Sequence, residues 1–329
     1  MSALAPLLQA FFTDRLITQR HASEHTIASY RDTFRLLLGY AVAKTGKKPS
    51  ALDIADLDVA LIAGFLDHLE HDRRNSVRTR NNRLAAIHSM FGYAALHHPE
   101  HAAVIQRVLA IPVKRYERRM LTWLTNTEVD ALLAAPDRRT WTGQRDHALL
   151  VLAIQTGLRI SELITLTRAD IHLGAGAHVH CIGKGRKQRA TPLTPLTVQV
   201  LRGWLTAHPG GPHDPLFATR TGHRLSRDAL EHRLTGYLAT ARSSCLSLRG
   251  KHVTIHTLRH TCAMRLLESG TDVTVIALWL GHEKLATVQI YLHADMAQKE
   301  RAIARVTPPG TRPGRYIPTD PLLTFLEQL

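Results

Sequence analysis

The run from His256 to Tyr291, HTLRHTCAMRLLESGTDVTVIALWLGHEKLATVQIY, constrains the fold of this chain more than any other stretch. It reads as three helical segments separated by two glycine stops. His256 and Arg259 lie three apart and so share a helix face. Cys262, Ala263, Leu266 and Leu267 then repeat at roughly 3.6 residues, the α-helical period. Ser269-Gly270 supplies a stop of the kind that follows a helix C-terminus. A second apolar helix, 273–280, ends at Gly281 and leaves His282 on a turn. A third helix is expected after Glu283, carrying Tyr291. Two histidines, an arginine and a tyrosine thus sit at helix ends and faces that one compact fold can bring together.

That set has a chemistry. A tyrosine is a poor nucleophile at neutral pH unless positive charge stabilises its phenolate or a base takes its proton. Arginine holds phosphate oxygens bidentately, and histidine exchanges protons near neutrality. Together they point to attack on a phosphodiester. Each residue alone has a plainer reading: a lone tyrosine on an amphipathic helix is usually a half-buried packing residue. His256 and His260, four apart, have the spacing of two zinc ligands on one helix face. No Glu of the metalloprotease type and no nearby Cys or His cluster completes such a site, so no metal and no other cofactor is expected.

Composition narrows the partner. The formal net charge is +15 and the calculated isoelectric point about 10.3. The excess is spread along the chain, with 17 Lys+Arg against 11 Asp+Glu up to Arg119 and 25 against 16 beyond. A basic chain of this kind suits a polyanion, above all double-stranded DNA. Three cysteines without metal-like spacing, Cys181, Cys245 and Cys262, fit reduced thiols in the cytoplasm. No secretory leader and no apolar run long enough for a membrane span is legible.

In chain order, residues 4–20 carry helical apolar spacing. Ser23 and Thr26 can cap a second helix to about Lys44, and TGKKPS is a loop. Asp56 or Asp58 opens a third helix, 59–70. The basic turn HDRRNSVRTR leads into a fourth, ending near His97-His98-Pro99. Residues 1–110 thus read as a bundle of four or five helices. Arg73, Arg74, Arg78, Arg80 and Arg83 crowd the start of the fourth helix and are expected to contact phosphate backbone. Residues 111–120, IPVKRYERRM, form a basic linker. A second domain, 121–305, opens with a helix capped by Asn126 or Thr127 and continues with a long apolar helix, 144–156, stopped by Gly157. ISELITLTRADI is expected to resume as a helix, with Arg159 at its start and Glu162 a turn later. A strand pair follows: AHVHCI, the turn GKGRKQR with Lys184 at its tip, then ATPLT. Helix returns over 197–241, broken by HPGGPHDP. From 306 to 329 the chain is a Pro/Gly-rich linker and a short helix, Leu322 to Leu329, suited to packing on a neighbouring subunit. The fold class is mainly α, with a small antiparallel hairpin in the second domain.

The order Arg159, Lys184, His256, Arg259, His282, Tyr291, in the words TGLRISEL, GKGRKQR, HTLRHTCA, LGHEK and TVQIY, resembles the tyrosine recombinases, the phage integrase family. The likeness covers about 121–304, and the N-terminal helices resemble that family's SAM-like core-binding domain in architecture. It implies that Tyr291 attacks the scissile phosphorus to give a 3′-phosphotyrosyl link, and that a 5′-hydroxyl of a partner strand reverses the step. It implies that Arg159 and Arg259 clamp the non-bridging oxygens, Lys184 protonates the leaving oxygen, His256 assists proton transfer from Tyr291 and His282 donates to the phosphate. Glu162 would orient Arg159. Lys114, Arg115, Arg186 and Lys187 join the arginine cluster as expected DNA contacts. The family usually works as a homotetramer on DNA, with two basic domains closing around the duplex, and a partner recombinase is sometimes required.

Other readings stay open on the sequence. A type IB topoisomerase uses a similar tyrosine, although the separate helical domain and the HTLRH and LGH words favour the recombinase. A non-catalytic DNA-binding protein on the same scaffold would have no use for the full set of cations and tyrosine, and a metal-dependent hydrolase is more distant. The biological role is DNA integration or mobile-element transposition, or else Xer-type resolution of chromosome dimers. The Pro/Gly tail and the lack of an arm-binding domain lean toward the former.

Overall fold

Capping side chains and left-handed glycines set most of the element boundaries. The computed structural model describes residues 4–116, 121–183 and 187–281. The chain divides into two compact units, 1–119 and 120–329.

The first unit is helical: α1 (Leu4–Ala10), continued as a π-helical stretch over Phe11–Gln19, then α2 (Glu24–Thr45), α3 (Val59–His71), α4 (Val77–His97) and α5 (Ala102–Leu109). Ser23, Asp58 and Ser76 each accept a backbone N–H of the first turn, at the starts of α2, α3 and α4, which satisfies one of the orphan donors of each helix. Gly46, at φ 69°, ends α2. Phe11 is the centre of the core, wholly buried, with Tyr30, Phe34 and Tyr93 at ring distances of 6.3, 6.1 and 5.8 Å. The π-helical widening was not expected from the sequence. Thr18 Oγ1 donates to the carbonyl of Thr13, five residues back, in keeping with that wider turn.

The second unit contains α6 (Asn126–Ala134), α7 (Trp141–Thr156), α8 (Ile160–Thr165), strands β1 (Ile171–His172), β2 (His178–Ile182) and β3 (Gln188–Pro192), then α9 (Pro195–Ala207), α10 (Arg227–Ser244), α11 (Ile255–Glu268) and α12 (Val273–Leu280). The strands form one antiparallel sheet in the order β1-β2-β3, with Cys181 opposite Arg189. A large core of α6, α7, α9 and α10 side chains includes Leu132, Leu149, Leu152, Leu201 and Leu234. A smaller cluster joins α11 to α12 through Cys262, Met264, Leu267, Ile276 and Leu280. A buried polar node braces α7 against α10: Arg145, 1% exposed, donates to Asp146 and to the Ala218 carbonyl, while Tyr237 Oη donates to Asp146 at 2.6 Å. Burial, and then that hydrogen bond, push the Tyr237 hydroxyl up to about 12.

Three sequence expectations change here. Thr125 caps α6, one residue earlier than expected, in a capping box with Glu128. The helix after Arg159 does not run to Ile171: it stops at Thr165, Leu166 turns extended with ψ 136°, and Leu216 donates to the Leu166 carbonyl. The ISELITLT spacing fits both a helical and an extended period, and tertiary pairing decides. The hairpin also has a third strand, the two-residue β1. The expected helix carrying Tyr291 and the expected C-terminal helix lie outside the described residues.

Gly157, at φ 64°, is the joint on which α7 turns into α8. A Cβ there would lie 2.6 Å from Leu280 Cδ2 and 3.1 Å from Cys262 Cβ. Gly157→Ala is therefore expected to cost the second unit about 2–4 kcal/mol, from left-handed strain and overpacking combined. Gly203→Ala, inside α9 with nothing within 4 Å, should instead stabilise by about 0.5–1 kcal/mol. Chemical denaturation of the two variants checks both signs.

Candidate active site

The end of α7, the start of α8 and the end of α12 meet around three arginines and one carboxylate. In TGLRISEL each position has a local reason. Gly157 breaks α7, Arg159 takes the extended N-cap position of α8 at ψ 152°, and Glu162 falls at the third helical residue. Glu162 Oε2 accepts the Arg159 backbone N–H at 2.8 Å, and Oε1 accepts Arg159 Nη1 at 2.9 Å. Arg159 Nη2 reaches across to the Gly281 carbonyl at 3.2 Å. Its side chain stays 30% exposed.

Arg259 comes from α11 and is 1% exposed. Nη1 donates to the Gly157 carbonyl at 2.7 Å and Nη2 to the Leu280 carbonyl at 2.6 Å. Both acceptors are orphan carbonyls at helix C-termini, which carry partial negative charge. The two arginines therefore end on adjacent carbonyls, Leu280 and Gly281, immediately before His282 in the sequence.

Arg189, on β3, was not expected from the sequence to take part. Its Nη1 and Nη2 grip Glu162 Oε1 and Oε2 at 3.0 and 2.7 Å. Burial alone would raise the Glu162 carboxyl, but hydrogen bonds from Arg189 and Arg159 outweigh it and hold the group below its usual range. The sequence signal was faint: a charged residue two positions past Lys187, opposite the buried Cys181 of β2, in a strand where Thr191 is buried.

His256 sits one residue into α11 on the exposed side, with its ring 4.4 Å from that of His260. The expectation that His256 and Arg259 share a face holds for their spacing but not for their exposure. Burial, with His256 and Arg259 adding positive charge nearby, drives the His260 imidazole down to about 4, so it is neutral near pH 7. No group of three or more His, Cys, Asp or Glu side chains among the described residues is placed to hold a metal ion. Lys184, Arg186, His282 and Tyr291 lie outside the described residues. The hairpin that carries Lys184 is closed at its base, where the Gly183 N–H donates to the Lys187 carbonyl at 2.7 Å, and Lys187 is exposed.

In the first unit, Arg73, Arg74 and Arg78 are exposed and Arg83 half-buried at the start of α4. Arg80 departs from the expectation of a phosphate contact. It is 5% exposed, and its Nη1 donates to Asn81 Oδ1 and to the Pro112 carbonyl at 3.1 Å. The docking of residues 112–114 onto α4 turns it inward. Lys114 donates to Glu70 at 2.5 Å, so its charge is already matched, and Arg115 is exposed. The stretch 73–99 contains five arginines and not one acidic residue.

Residues 122–298 match the profile of the phage integrase family, and residues 10–98 that of the phage integrase N-terminal SAM-like domain. The chain is 53% identical over 328 residues to a Sinorhizobium fredii protein named as an integrase/recombinase, covering 100% of this chain and 99% of the relative. It is 31% identical over 322 residues to the tyrosine recombinase XerC of Pelobacter propionicus, covering 94% and 99%. The fold is that of the XerH site-specific recombinase, solved bound to palindromic difH substrate as a post-cleavage complex: TM-score 0.69, 24% identity, 87% of this chain and 81% of that one. With architecture and sequence in agreement, this chain belongs to the phage integrase family, the tyrosine recombinases.

The Glu162 carboxylate has a pH signature. Its folded-state pKa lies below its ordinary 4.5, so its stabilisation is fully present above that value and is lost as pH falls toward the folded-state value. The difference in unfolding free energy between wild type and Glu162→Gln should be constant from about pH 8 to about pH 5 and shrink below about pH 4.5. Denaturant titrations across that range test it, and a difference that does not shrink would remove the ion-pair account.

Proposed function

We propose that this chain is a site-specific DNA recombinase that cuts and rejoins DNA strands with Tyr291 as nucleophile. One observation carries the reading: two guanidiniums, Arg159 and Arg189, share the single carboxylate of Glu162, and a third, Arg259, ends on the Leu280 carbonyl, next to the Gly281 carbonyl that Arg159 reaches. Arg259 donates to two carbonyl oxygens, and Arg159 keeps 30% of its side chain exposed, where an anion can approach it. A phosphodiester carries one negative charge and gains another on the way to a five-coordinate transition state. A preset excess of positive charge therefore favours the transition state over the ground state.

In this mechanism the Tyr291 oxygen attacks phosphorus, a 3′-phosphotyrosyl bond forms and the bond to the 5′-oxygen breaks. His256 assists removal of the tyrosine proton and Lys184 returns a proton to the leaving 5′-oxygen. His282 donates to a non-bridging oxygen, and Arg159 and Arg259 hold both non-bridging oxygens. A 5′-hydroxyl from a second strand then attacks the phosphotyrosine and frees Tyr291. One phosphodiester is exchanged for another, so no nucleotide energy source enters. Residues 121–305 carry this chemistry. Residues 1–110, with Arg73, Arg74, Arg78 and Arg83 on the acid-free stretch, and the linker 111–120 with Arg115, add phosphate contacts, as do Arg186 and Lys187.

The protein acts on double-stranded DNA in the cytoplasm, as a homotetramer when two sites are paired. An apolar groove lined by Leu133, Ile154, Leu196, Leu266 and Trp279 supports packing of residues 322–329 from a neighbouring subunit. DNA integration or transposition is favoured as its role, because the relative that shares 53% of its sequence is named as an integrase/recombinase. Resolution of chromosome dimers is the second reading, supported by the XerC relative at 31%.

Covalent trapping on nicked duplex DNA in EDTA tests the chemistry. Wild type should give a protein–DNA adduct that survives SDS, and Tyr291→Phe should give none while still binding. An adduct formed equally by both proteins, or an absolute dependence on added Mg²⁺, would overturn the assignment.

A further inference from the structure

We propose that Arg189 is a positioning residue for strand cleavage. It fixes Glu162 so that Arg159 keeps its charge free for phosphate, and it ties that arginine to the hairpin carrying Lys184. The inference rests on the recombinase reading above and adds a residue to it.

Glu162 offers two oxygens and receives four donors. Arg189 uses both terminal nitrogens, one on each oxygen, at 3.0 and 2.7 Å. Arg159 contributes its backbone N–H and only one guanidinium nitrogen, Nη1 at 2.9 Å. The strong bidentate geometry thus belongs to Arg189. It leaves Arg159 attached to the carboxylate by one side-chain bond, with Nη2 directed to the Gly281 carbonyl. Without Arg189, Glu162 and Arg159 would be a one-to-one pair three residues apart. The carboxylate would then cancel the charge that the phosphate needs.

The surroundings are shaped for this guanidinium. Glu162 and Arg189 side chains are 4% and 11% exposed, so their attraction is little screened by water. A Cβ on Gly183 would meet Arg189 Nη1 at 3.0 Å and Glu162 Oε1 at 3.2 Å. A Cβ on Gly281 would meet the same Nη1 at 3.0 Å and Arg189 Cδ at 3.3 Å. Glycines on the β2–β3 hairpin and at the end of α12 therefore make room for one arginine. Gly183 is the residue before Lys184, and Gly281 the residue before His282. Arg189 is thus packed between the two segments that lead into those candidate groups, while gripping the carboxylate that orients a third.

The test reads pH dependence, which a purely structural role would not move. Nicked duplexes with a randomised core are selected by covalent capture on the full-length wild-type protein, and attachment rates are measured from about pH 5 to about pH 9 for wild type, R189K, R189Q and R189Q/E162Q. Removing Arg189 leaves burial to dominate at Glu162, so its carboxyl titrates at higher pH. The acid limb of the R189Q profile should move to higher pH, with attachment about 100-fold slower at the low end, the scale of a misplaced catalytic group. Binding should stay within about 2-fold, since the Arg189 side chain is only 11% exposed and engaged with Glu162. R189K should lie between wild type and R189Q, and it serves as the readout if R189Q does not fold. The double variant, with no carboxyl at 162, should lose the shifted limb. If R189Q or R189K titrates as wild type does, or R189Q/E162Q keeps the shift, the proposal is wrong. If wild type captures no duplex at all, the recombinase reading itself fails.

Discussion

Arg259 is a full positive charge with 1% of its surface exposed, and the second unit is arranged around making that tolerable. Burying an unpaired guanidinium costs several kcal/mol. Here the carbonyl ends of two helices, Gly157 after α7 and Leu280 at the end of α12, supply the compensating negative ends. Both helices must therefore stop where they do, and both stop on left-handed glycines, Gly157 and Gly281. The same contact fixes α11 between them. Removing the arginine would leave two buried carbonyls unpaired, and moving either glycine would displace them.

From that anchor the electrostatics of the site follow. Arg259 donates to the carbonyl dipoles of Gly157 and Leu280, whose partial negative charges compensate its burial. Arg159 and Arg189 share Glu162, leaving positive charge in excess. Groups placed this way need little reorganisation when a phosphate arrives, which is where such sites gain most of their rate. Stability and function draw on one network: Glu162 satisfies the start of α8 and orients a phosphate-binding arginine at once.

How much of this could be read beforehand depends on the range of each interaction. Local signals were legible. The span of α12, 273–280, followed from its apolar run and Gly281, and the end of α7 from Gly157, because caps and stops act within one turn. Interactions distant in sequence were not. Arg189 reaches Glu162 across 27 positions, and only the hairpin register decides that it points inward. Arg80 looks like its four neighbours in the sequence, yet residues 112–114 fold over it and turn it into a tie. ISELITLT was over-read as helix because its apolar spacing suits two periods and Leu166 is claimed by Leu216. Of the candidate site, Arg159, Glu162, His256 and Arg259 fall within the described residues; Lys184, His282 and Tyr291 rest on sequence words and family membership.

The most direct measurement is a crystal structure of the full-length protein joined covalently to a nicked duplex. The account predicts the phosphotyrosyl phosphorus on residue 291, with non-bridging oxygens about 2.7–3.1 Å from guanidinium nitrogens of Arg159 and Arg259. It also predicts that Glu162 is still gripped by Arg189 and that Arg259 still bonds the Gly157 and Leu280 carbonyls. A phosphate held by other side chains, or an Arg259 that has left those carbonyls to reach it, would contradict the claim that the site is built before the DNA arrives.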